Sequence, residues 1–552
     1  MSEQRWRGKL ILLSLATLLA LLAAPFEVSA QQLSHDADTL VLCSSKLQTA
    51  LKPWVEYRQQ QGHKIAVRFS KPSAKENKQL ISEYAAGQQL KNLLLVGDSG
   101  DRQQDPEQRV PAELVPAKVN VMFGSEPKIA SDNPYADLDG DGVPELTVGR
   151  ITADTPEELT DTIKRIIRYE TEADGQLWQR QINLIAGVGG FGRLVDTVVE
   201  NATRQILTDL VPAGYQTSMT YGSWTSPFCP SPERFSETAI GRFNEGCLFW
   251  VYCGHGQRDA LDRIRVPKQN YRILDTKNVQ QLNCQQGSPI AICLSCYTGA
   301  HDGEQDCLAE HMMRQPNGPV AVVCGSRVTM PYAMSILSVE MMNEYFRGQS
   351  ETLGQLMLTA KQRMIEKPDQ DKYRMTLDVL GKALSPLPGM LDEECREHLQ
   401  LMQLLGDPLL RLKRPQRLGL AIMPAEPNKA EGEIASFVAG DRFTVSGKTD
   451  RPGSILIELA YQRGRLRHRH SVRHEYDSSE DALAKIHQEY LQAHDSVCFR
   501  RVIKAEGGTF QADLQIPNDC SGKCDVRAIL LGTEVAIDSV PVRVRPLRIG
   551  KK

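Results

Sequence analysis

The sequence lacks a strong net charge, internal repeats and low-complexity tracts. Its 65 lysines and arginines nearly balance its 68 aspartates and glutamates, which leaves a formal net charge of −3. Proteins that bind nucleic acid usually carry a basic patch or stripe, so nothing here indicates nucleic acid as a partner. The 41% hydrophobic and 24% charged residues are typical of a globular protein, and 552 residues suffice for roughly three to four domains.

The chain also lacks a second long apolar run after its N-terminus. Basic residues precede the apolar stretch from Leu10 to Ala24, and Val28-Ser29-Ala30 forms a small-residue cleavage pattern. These features predict a signal peptide over residues 1–30, a secreted protein (periplasmic, extracellular or at the cell surface) that starts near Gln31, and no membrane span after cleavage. An uncleaved membrane anchor is the alternative.

The cysteine count is odd, because the chain has thirteen cysteines, all after the predicted signal. Export to an oxidising compartment predicts that some of them pair and that at least one stays free. Cys520 and Cys524 lie in a turn of small and polar residues and could form a small-loop disulfide. The spacing leaves the pairing of the other cysteines open.

Strand-like apolar runs alternate with helical segments up to about residue 414. Strands are predicted at Thr39 to Leu42, Ile65 to Phe69 and Leu93 to Val96, and helices at Lys46 to Gly62 and from Thr155 to about Glu170. This alternation predicts an α/β fold with a parallel sheet and helices on its faces.

After Pro415 the pattern changes to short alternating segments separated by Gly, Pro, Asp and Asn residues. Arg442 to Gly447 and Ile455 to Leu459 are examples. Such segments are typical of a β-sandwich. The segment from Ser479 to Ala493 has a helical pattern and is predicted to be an insertion.

Two apolar runs end at a reactive side chain that is followed by glycine. The run from Leu248 to Cys253 leads to His255 and Gly256, and the run from Pro289 leads to Cys296. In α/β sheets, ligands and catalytic groups gather at the carboxyl ends of the strands. A thiolate is a nucleophile, and a nearby histidine can take its proton. The two strand ends therefore predict a catalytic pair of Cys296 and His255.

Two other interpretations of Cys296 remain. Most free cysteines are small buried hydrophobic residues. Cys293 and Cys296 also have the Cys-x-x-Cys spacing of a redox pair, which would make the protein a thiol oxidoreductase. Cys293, however, lies within the apolar strand, whereas Cys296 lies at its end.

Further short motifs occur in order around the two strand ends, from about residue 38 to 414. With them, this region resembles the catalytic region of the gingipain family, secreted cysteine endopeptidases with a caspase-like fold and a β-sandwich after the catalytic region. The motifs are Leu94-Leu95-Val96-Gly97-Asp98, Ser131-Asp132-Asn133-Pro134-Tyr135, Val148-Gly149-Arg150, Tyr169-Glu170, Cys307-Leu308-Ala309-Glu310 and Leu405-Gly406-Asp407-Pro408-Leu409.

The resemblance implies a catalytic role for each of these residues. Cys296 would be the nucleophile, His255 the general base and acid, and the backbone N–H groups of Gly256 and Cys296 the oxyanion hole. Protein or peptide substrates and no catalytic cofactor are expected. The implied domains are the signal peptide 1–30, a first α/β catalytic subdomain 31–150, a second 151–414 with the Cys/His dyad, and an immunoglobulin-like sandwich 415–552 with a helical insertion.

The chain departs from the family at two points. Arginine-specific gingipains have a glutamate near the dyad, in the turn after a strand, and here Val188 follows the corresponding strand Ile182 to Ala186. What orients His255 is thus open, and a catalytically silent protein-binding relative is an alternative. The family also has a long inhibitory propeptide, whereas here about eight residues separate the predicted cleavage site from the first strand. We therefore expect no latency of that kind.

Substrate preference is predicted from the segment that starts at Asp196. This residue lies near the start of a predicted helix, Val195 to Leu210, which resembles the gingipain segment whose aspartate lies under a bound arginine. A buried carboxylate pairs bidentately with a guanidinium, so Asp196 predicts cleavage after arginine. An ordinary helix N-terminal aspartate is the alternative. Tyr332 is expected to form an aromatic wall of the pocket, and Arg327 would oppose a basic substrate if it pointed inward.

An acidic turn predicts a structural calcium site. Asp137, Asp139 and Asp141 stand at alternate positions, with glycines for the tight turn and Glu145 further on, which is how short loops wrap Ca²⁺. The acid expected at the twelfth position of a helix–loop–helix calcium site is replaced by Val148, so the turn is only related to that motif. An ordinary acidic turn is the alternative.

Overall fold

The computed structural model describes residues 36–100, 109–171, 176–188, 205–367, 371–424, 434–532 and 535–547. The predicted signal peptide lies outside these residues. Within the described ranges, no helix is both long and apolar enough to cross a membrane.

Twenty-three strands are assigned within the described residues. They are β1 (Thr39–Cys43), β2 (Ile65–Phe69), β3 (Asn92–Val96), β4 (Glu113–Pro116), β5 (Lys128–Ser131), β6 (Thr147–Ile151), β7 (Gln181–Ala186), β8 (Gln216–Tyr221), β9 (Phe249–Cys253), β10 (Arg263–Val266), β11 (Gln269–Arg272), β12 (Ile290–Leu294), β13 (Ala321–Gly325), β14 (Met402–Leu405), β15 (Gln416–Arg417), β16 (Ala421–Pro424), β17 (Ala435–Val438), β18 (Arg442–Thr449), β19 (Gly453–Tyr461), β20 (Val497–Ala505), β21 (Gly508–Gln515), β22 (Gly522–Leu531) and β23 (Ala536–Arg545).

The helices alternate with the strands of the first 414 residues, and one further helix lies in the C-terminal part. They are Gln48–Gln60, Ala74–Ala85, Asn133–Ala136, Pro156–Thr171, Phe235–Asn244, Leu308–Met313, Pro331–Arg347, Leu353–Glu366, Lys372–Leu384, Leu391–Leu401 and Glu480–His494. The predicted helices ending near Gly62 and Glu170 and the predicted helical insertion are confirmed.

Ten strands form one sheet in the order β2-β1-β3-β6-β14-β13-β12-β9-β7-β8. Each neighbouring pair in it is parallel except β13 and β14. The sheet is thus mixed rather than purely parallel, and it consists of two blocks of parallel strands that run in opposite directions. β14 follows directly after the helix Leu391–Leu401.

Apolar side chains cover both faces of the sheet. The central strands β1, β3 and β13 are buried at every position, which explains why they occur in the sequence as continuous apolar runs. One core cluster lies under helices such as Pro331–Arg347 and Leu353–Glu366. A second cluster lies on the other side of β9 and β12.

Residues after 415 form two more sheets around a separate core. One has the order β15-β23-β22-β19-β20 with β17 paired to β23, and the other has the order β16-β18-β21. Buried residues of both sheets, such as Val445, Phe510, Ile457 and Val526, belong to the same hydrophobic cluster. The two sheets therefore stabilise each other.

The helical insertion connects this C-terminal part to the ten-stranded sheet. In helix Glu480–His494, the Tyr490 hydroxyl lies 2.9 Å from Thr220 Oγ1 of β8, and His494 Nε2 accepts a hydrogen bond from the Met219 N–H. Arg180 and Glu458 form a buried ion pair across the same boundary at 3.0 Å. The insertion thus packs against β8, the edge strand of the ten-stranded sheet.

Candidate active site

The two predicted catalytic side chains lie at the same edge of the sheet. β9 and β12 are parallel neighbours, and their last paired residues are Cys253 and Leu294. His255 and Cys296 each follow two residues later. The register of two largely buried strands thus brings an imidazole and a thiol to adjacent strand ends.

The backbone around His255 is held firmly although its side chain is exposed. The Tyr252 hydroxyl donates a hydrogen bond to the His255 carbonyl oxygen at 2.7 Å, and the Asp262 N–H donates to the same oxygen at 3.1 Å. Gly254 has φ +157°, and a Cβ atom there would lie 2.7 Å from the Tyr252 hydroxyl. Glycine at this position therefore permits the close turn that leads into His255.

Cys296 is the accessible thiol of the Cys-x-x-Cys pair. Its side chain is half-buried, and the Thr329 N–H donates a hydrogen bond to its sulfur at 3.4 Å. The next residue, Tyr297, has φ +59°, so the chain turns sharply directly after the thiol. Cys293 is buried within β12, and burial raises the pKa of its thiol to about 12. Cys293 is therefore a neutral core residue at physiological pH.

Gly256 lies against the backbone of Cys296. A Cβ atom at position 256 would lie 2.5 Å from the Cys296 carbonyl oxygen and 2.9 Å from the Ser295 hydroxyl, so a larger residue would separate the two strand ends. Within the described part of the chain, the Gly256 and Cys296 N–H groups form no backbone hydrogen bond. Both can therefore donate to a bound carbonyl oxygen.

Among the described residues, the turn after β7 contributes no carboxylate. β7 ends at Ala186, and Gly187 and Val188 follow. The Val188 side chain is apolar and cannot accept a hydrogen bond from an imidazole.

Tyr332 and Arg327 lie in sequence on either side of Thr329, whose N–H contacts the Cys296 sulfur. Tyr332 lies in the first turn of helix Pro331–Arg347, three residues after Thr329, and its hydroxyl donates to Asp378 at 2.7 Å. Arg327 forms a bidentate ion pair with Asp302 at 2.8 and 2.6 Å. Its charge is therefore neutralised within the protein rather than opposed to a substrate.

Asp196 and the start of its predicted helix lie outside the described residues.

The acidic turn brings its carboxylates together. Oxygens of Asp137, Asp139, Asp141 and Glu145 all lie within 4.8 Å of one another. The Asp137 carboxylate accepts hydrogen bonds from the N–H groups of Gly140 at 2.8 Å and Gly142 at 3.0 Å, which shapes the loop. Burial, with the neighbouring aspartates, raises the pKa of Glu145. Four converging carboxylates repel one another, and this donor set fits a hard cation such as Ca²⁺.

The predicted disulfide between Cys520 and Cys524 is absent. All thirteen cysteines are free thiols, and the sulfurs of these two lie 3.8 Å apart. A third thiol, Cys498, lies closer to Cys520, at 2.9 Å. The pairing of β19 with β20 shifts register at Cys498. Such a bulge changes the direction in which the side chain of the bulged residue points. The sequence showed the small turn but not the register shift of a distant strand.

Comparison with known proteins agrees with this geometry. Peptidase family C25 matches the chain over residues 32–413. Gingipain R2 of Porphyromonas gingivalis is 25% identical over 355 residues, which are 61% of this chain and 44% of the relative. Lys-gingipain HG66 of Porphyromonas gingivalis is 26% identical over 289 residues, which are 50% of this chain and 15% of the relative. The chain therefore spans less than half the length of these curated relatives.

A solved structure has the same fold. It is that of gingipain R, described as an Arg-specific cysteine proteinase, and the match covers 93% of this chain and 99% of the other with a TM-score of 0.52. The sequence identity over this match is 18%, so it concerns the fold alone.

Proposed function

The chain belongs to peptidase family C25, and on this basis we propose that it is a cysteine endopeptidase that hydrolyses peptide bonds of protein or peptide substrates. The observation that carries the proposal is the position of His255 and Cys296 at the ends of neighbouring parallel strands. Gly256, packed against the Cys296 carbonyl, supports it further because the site leaves space for a substrate carbonyl next to the thiol.

In the proposed reaction, His255 removes the proton of the Cys296 thiol and the thiolate attacks the carbonyl carbon of the scissile bond. The carbonyl oxygen becomes an oxyanion, which accepts hydrogen bonds from the N–H groups of Gly256 and Cys296. His255 then donates its proton to the leaving amine, and a thioester remains on Cys296. A water molecule, deprotonated by His255, hydrolyses the thioester, and the proton returns to the thiolate.

The two other function classes differ in their support. A thiol oxidoreductase needs two accessible thiols, and the buried Cys293 with its raised pKa argues against it. A catalytically silent protein-binding module is favoured only by Val188, which stands where a gingipain carboxylate is expected. Peptide hydrolysis by the purified protein separates this second candidate from the first.

We further propose that the peptidase prefers arginine before the scissile bond and that Asp196 is the reason. The relatives named gingipain R support an arginine preference. A carboxylate in a desolvated pocket would accept two parallel hydrogen bonds from a guanidinium, whereas lysine offers only a point charge. The ion pair of Arg327 with Asp302 supports the proposal because it removes an opposing charge.

Profiling with a peptide library is the experiment that tests both proposals. We expect hydrolysis with cleavage after arginine. The Asp196→Asn variant should lose about 2–5 kcal/mol of transition-state binding for arginyl peptides, because a buried charge loses its partner. Peptides with a neutral residue at that position serve as the control and should change far less. No hydrolysis of any peptide would contradict the peptidase, and an unaltered profile in the variant would contradict the role of Asp196.

We propose that the acidic turn binds one structural Ca²⁺ through Asp137, Asp139, Asp141 and Glu145. The convergence of the four carboxylates supports it. A ligand that binds only the native state stabilises that state by mass action. Chelation should therefore lower the melting temperature of the protein, and Asp139→Ala should abolish this sensitivity. Glu157→Ala, at an exposed acid on a neighbouring helix, is the matched control and should keep it. A melting temperature that is unchanged by chelator would identify an ordinary acidic turn.

For the rest of the chain we propose a secreted protein with the domains expected from the sequence. The antiparallel pairing of β13 and β14 supports a division of the catalytic region into two α/β subdomains. The shared core of the two C-terminal sheets supports an immunoglobulin-like β-sandwich. The apolar N-terminal run followed by Val28-Ser29-Ala30 supports export.

A further inference from the structure

Three cysteine side chains of the C-terminal part converge at a place outside the candidate active site. The sulfurs of Cys498, Cys520 and Cys524 all lie within 4.8 Å of one another. Cys520 is the central one, because its sulfur lies 2.9 Å from that of Cys498 and 3.8 Å from that of Cys524. Converging thiols of this kind can form a disulfide or hold a soft metal ion.

The distances within the cluster favour a disulfide over a metal site. Two sulfurs bound to one tetrahedral Zn²⁺ at about 2.3 Å lie about 3.8 Å apart. The sulfurs of Cys498 and Cys520 are much closer than this, at 2.9 Å. A structural zinc site also takes four ligands, whereas the group of converging His, Cys, Asp and Glu side chains in this part of the described chain has three members.

One arginine holds together the two segments that carry the closest pair of thiols. Arg467 Nη1 donates a hydrogen bond to the Val497 carbonyl oxygen at 3.0 Å, and its Nη2 donates to the Asp519 carboxylate at 2.9 Å. Val497 and Asp519 directly precede Cys498 and Cys520 in the sequence. The short distance between the two sulfurs is therefore supported by contacts on both sides of it.

The two sulfurs of this pair differ in exposure and in proton affinity. Cys498 is half-buried, so an external reagent reaches it first, whereas Cys520 is only 1% exposed. Hydrogen bonds from the thiols of Cys498 and Cys524 lower the pKa of Cys520. Because a thiolate is the attacking species in thiol–disulfide exchange, Cys520 is suited to complete a reaction that begins at Cys498.

We propose that Cys498 and Cys520 form a disulfide and that Cys524 remains a thiol. The Cys498 sulfur attacks a small-molecule disulfide such as oxidised glutathione, forms a mixed disulfide and gives its proton to the first small thiol that leaves. The Cys520 thiolate then attacks the Cys498 sulfur, and the second small thiol leaves with a proton from water. Two cysteines are thus oxidised while one external disulfide is reduced to two thiols. The new bond joins the edge strand β20 to the turn before β22.

The test is oxidation of the folded Cys296→Ala protein with oxidised glutathione, since this variant lacks the active-site thiol and does not digest itself. The remaining thiols are alkylated, and tryptic peptides are then analysed by mass spectrometry. Trypsin cleaves after Arg500 and after Lys523, which places the three cysteines on three different peptides. We expect the peptide of Cys498 to be linked to that of Cys520 and Cys524 to be alkylated.

Oxidation should also raise the melting temperature by several degrees, because the bond closes a loop and constrains the unfolded chain. Each protein is compared with its own reduced form. Cys524→Ala, added to Cys296→Ala, should keep the link and the rise, and the matched variant Cys498→Ala should lose both. A link between Cys520 and Cys524, alkylation of all three thiols, or a purified protein with one tightly bound zinc ion at the cluster would overturn the proposal. None of these results bears on the peptidase, which is tested by hydrolysis alone.

Discussion

Replacement of Cys296 by alanine is expected to abolish peptide hydrolysis. The sulfur forms the covalent bond to the substrate in the proposed reaction, and no other thiol lies at the end of β12. Cys293, the nearest cysteine in sequence, is buried, and its pKa is raised to about 12. The loss should amount to several orders of magnitude in kcat, as for other nucleophiles that act together with a base. The measurement is hydrolysis of a fluorogenic peptide by the purified variant.

Cys293→Ala is the matched control, because it removes a thiol from the same strand without touching the strand end. This variant should keep most of its activity and lose some stability, since a small cavity remains in the core. A thiol-directed active-site inhibitor should label the unaltered protein and Cys293→Ala but not Cys296→Ala. Full activity in Cys296→Ala would remove the peptidase proposal, and loss of activity only in Cys293→Ala would revive the redox interpretation.

The position of His255 and Cys296 at neighbouring strand ends could be predicted from the sequence because the information is local. Each of the two apolar runs ends at a reactive side chain. Because the two strands are parallel neighbours, these two ends lie next to each other. Gly256 illustrates the same point, since the residue is conspicuous in the sequence and its close approach to Cys296 explains it. A feature that depends only on two neighbouring strand ends of a regular sheet can be predicted from the spacing of residues in the sequence.

Features that depend on a particular register could not be predicted in this way. The Asp262 N–H reaches the His255 carbonyl oxygen only because the chain folds back after Gly256, and no periodic pattern in the sequence indicates that turn. Cys498 approaches Cys520 through a register shift in β20. β14 is four residues long, too short to stand out as a strand, and no pattern in the sequence indicates its antiparallel pairing with β13. The Asp196 prediction lies outside the described residues.

Two motifs singled out by the resemblance are explained by one buried cluster. Glu170 and Asp407 are far apart in sequence, and both pair with Arg58, at 2.9 and 2.6 Å. The Arg58 side chain is 0% exposed and joins the helix Gln48–Gln60 to the helix Pro156–Thr171 and to the loop after β14. Burial would raise the pKa of Glu170, but hydrogen bonds and charge from Arg58 outweigh it and lower the pKa below its usual value.

Arg58→Met should therefore destabilise the protein strongly. Methionine fills much of the volume but leaves two buried carboxylates without their partner, and breaking a buried ion pair in this way costs about 3–5 kcal/mol. Arg58→Lys should be intermediate, because a single ammonium group cannot replace a planar fork that contacts both carboxylates. The measurement is urea-induced unfolding, followed by tryptophan fluorescence, since Trp54 donates a hydrogen bond to Asp407 within the cluster.

The control is Lys52→Met, which removes a positive charge from the same helix but outside the buried cluster. It shows how much the loss of a positive charge alone changes the stability. Lys52 lies 3.7 Å from Glu56, and both side chains are more than half exposed, at 66% and 56%. Ion pairs of this kind contribute well below about 1 kcal/mol, so the control should unfold at nearly the urea concentration of the unaltered protein. Equal stability of Arg58→Met and Lys52→Met would mean that the buried cluster contributes no more than a surface pair. A large loss confined to Arg58→Met would establish that Glu170 and Asp407 serve stability, because they hold the helices Gln48–Gln60 and Pro156–Thr171 and the loop after β14 together.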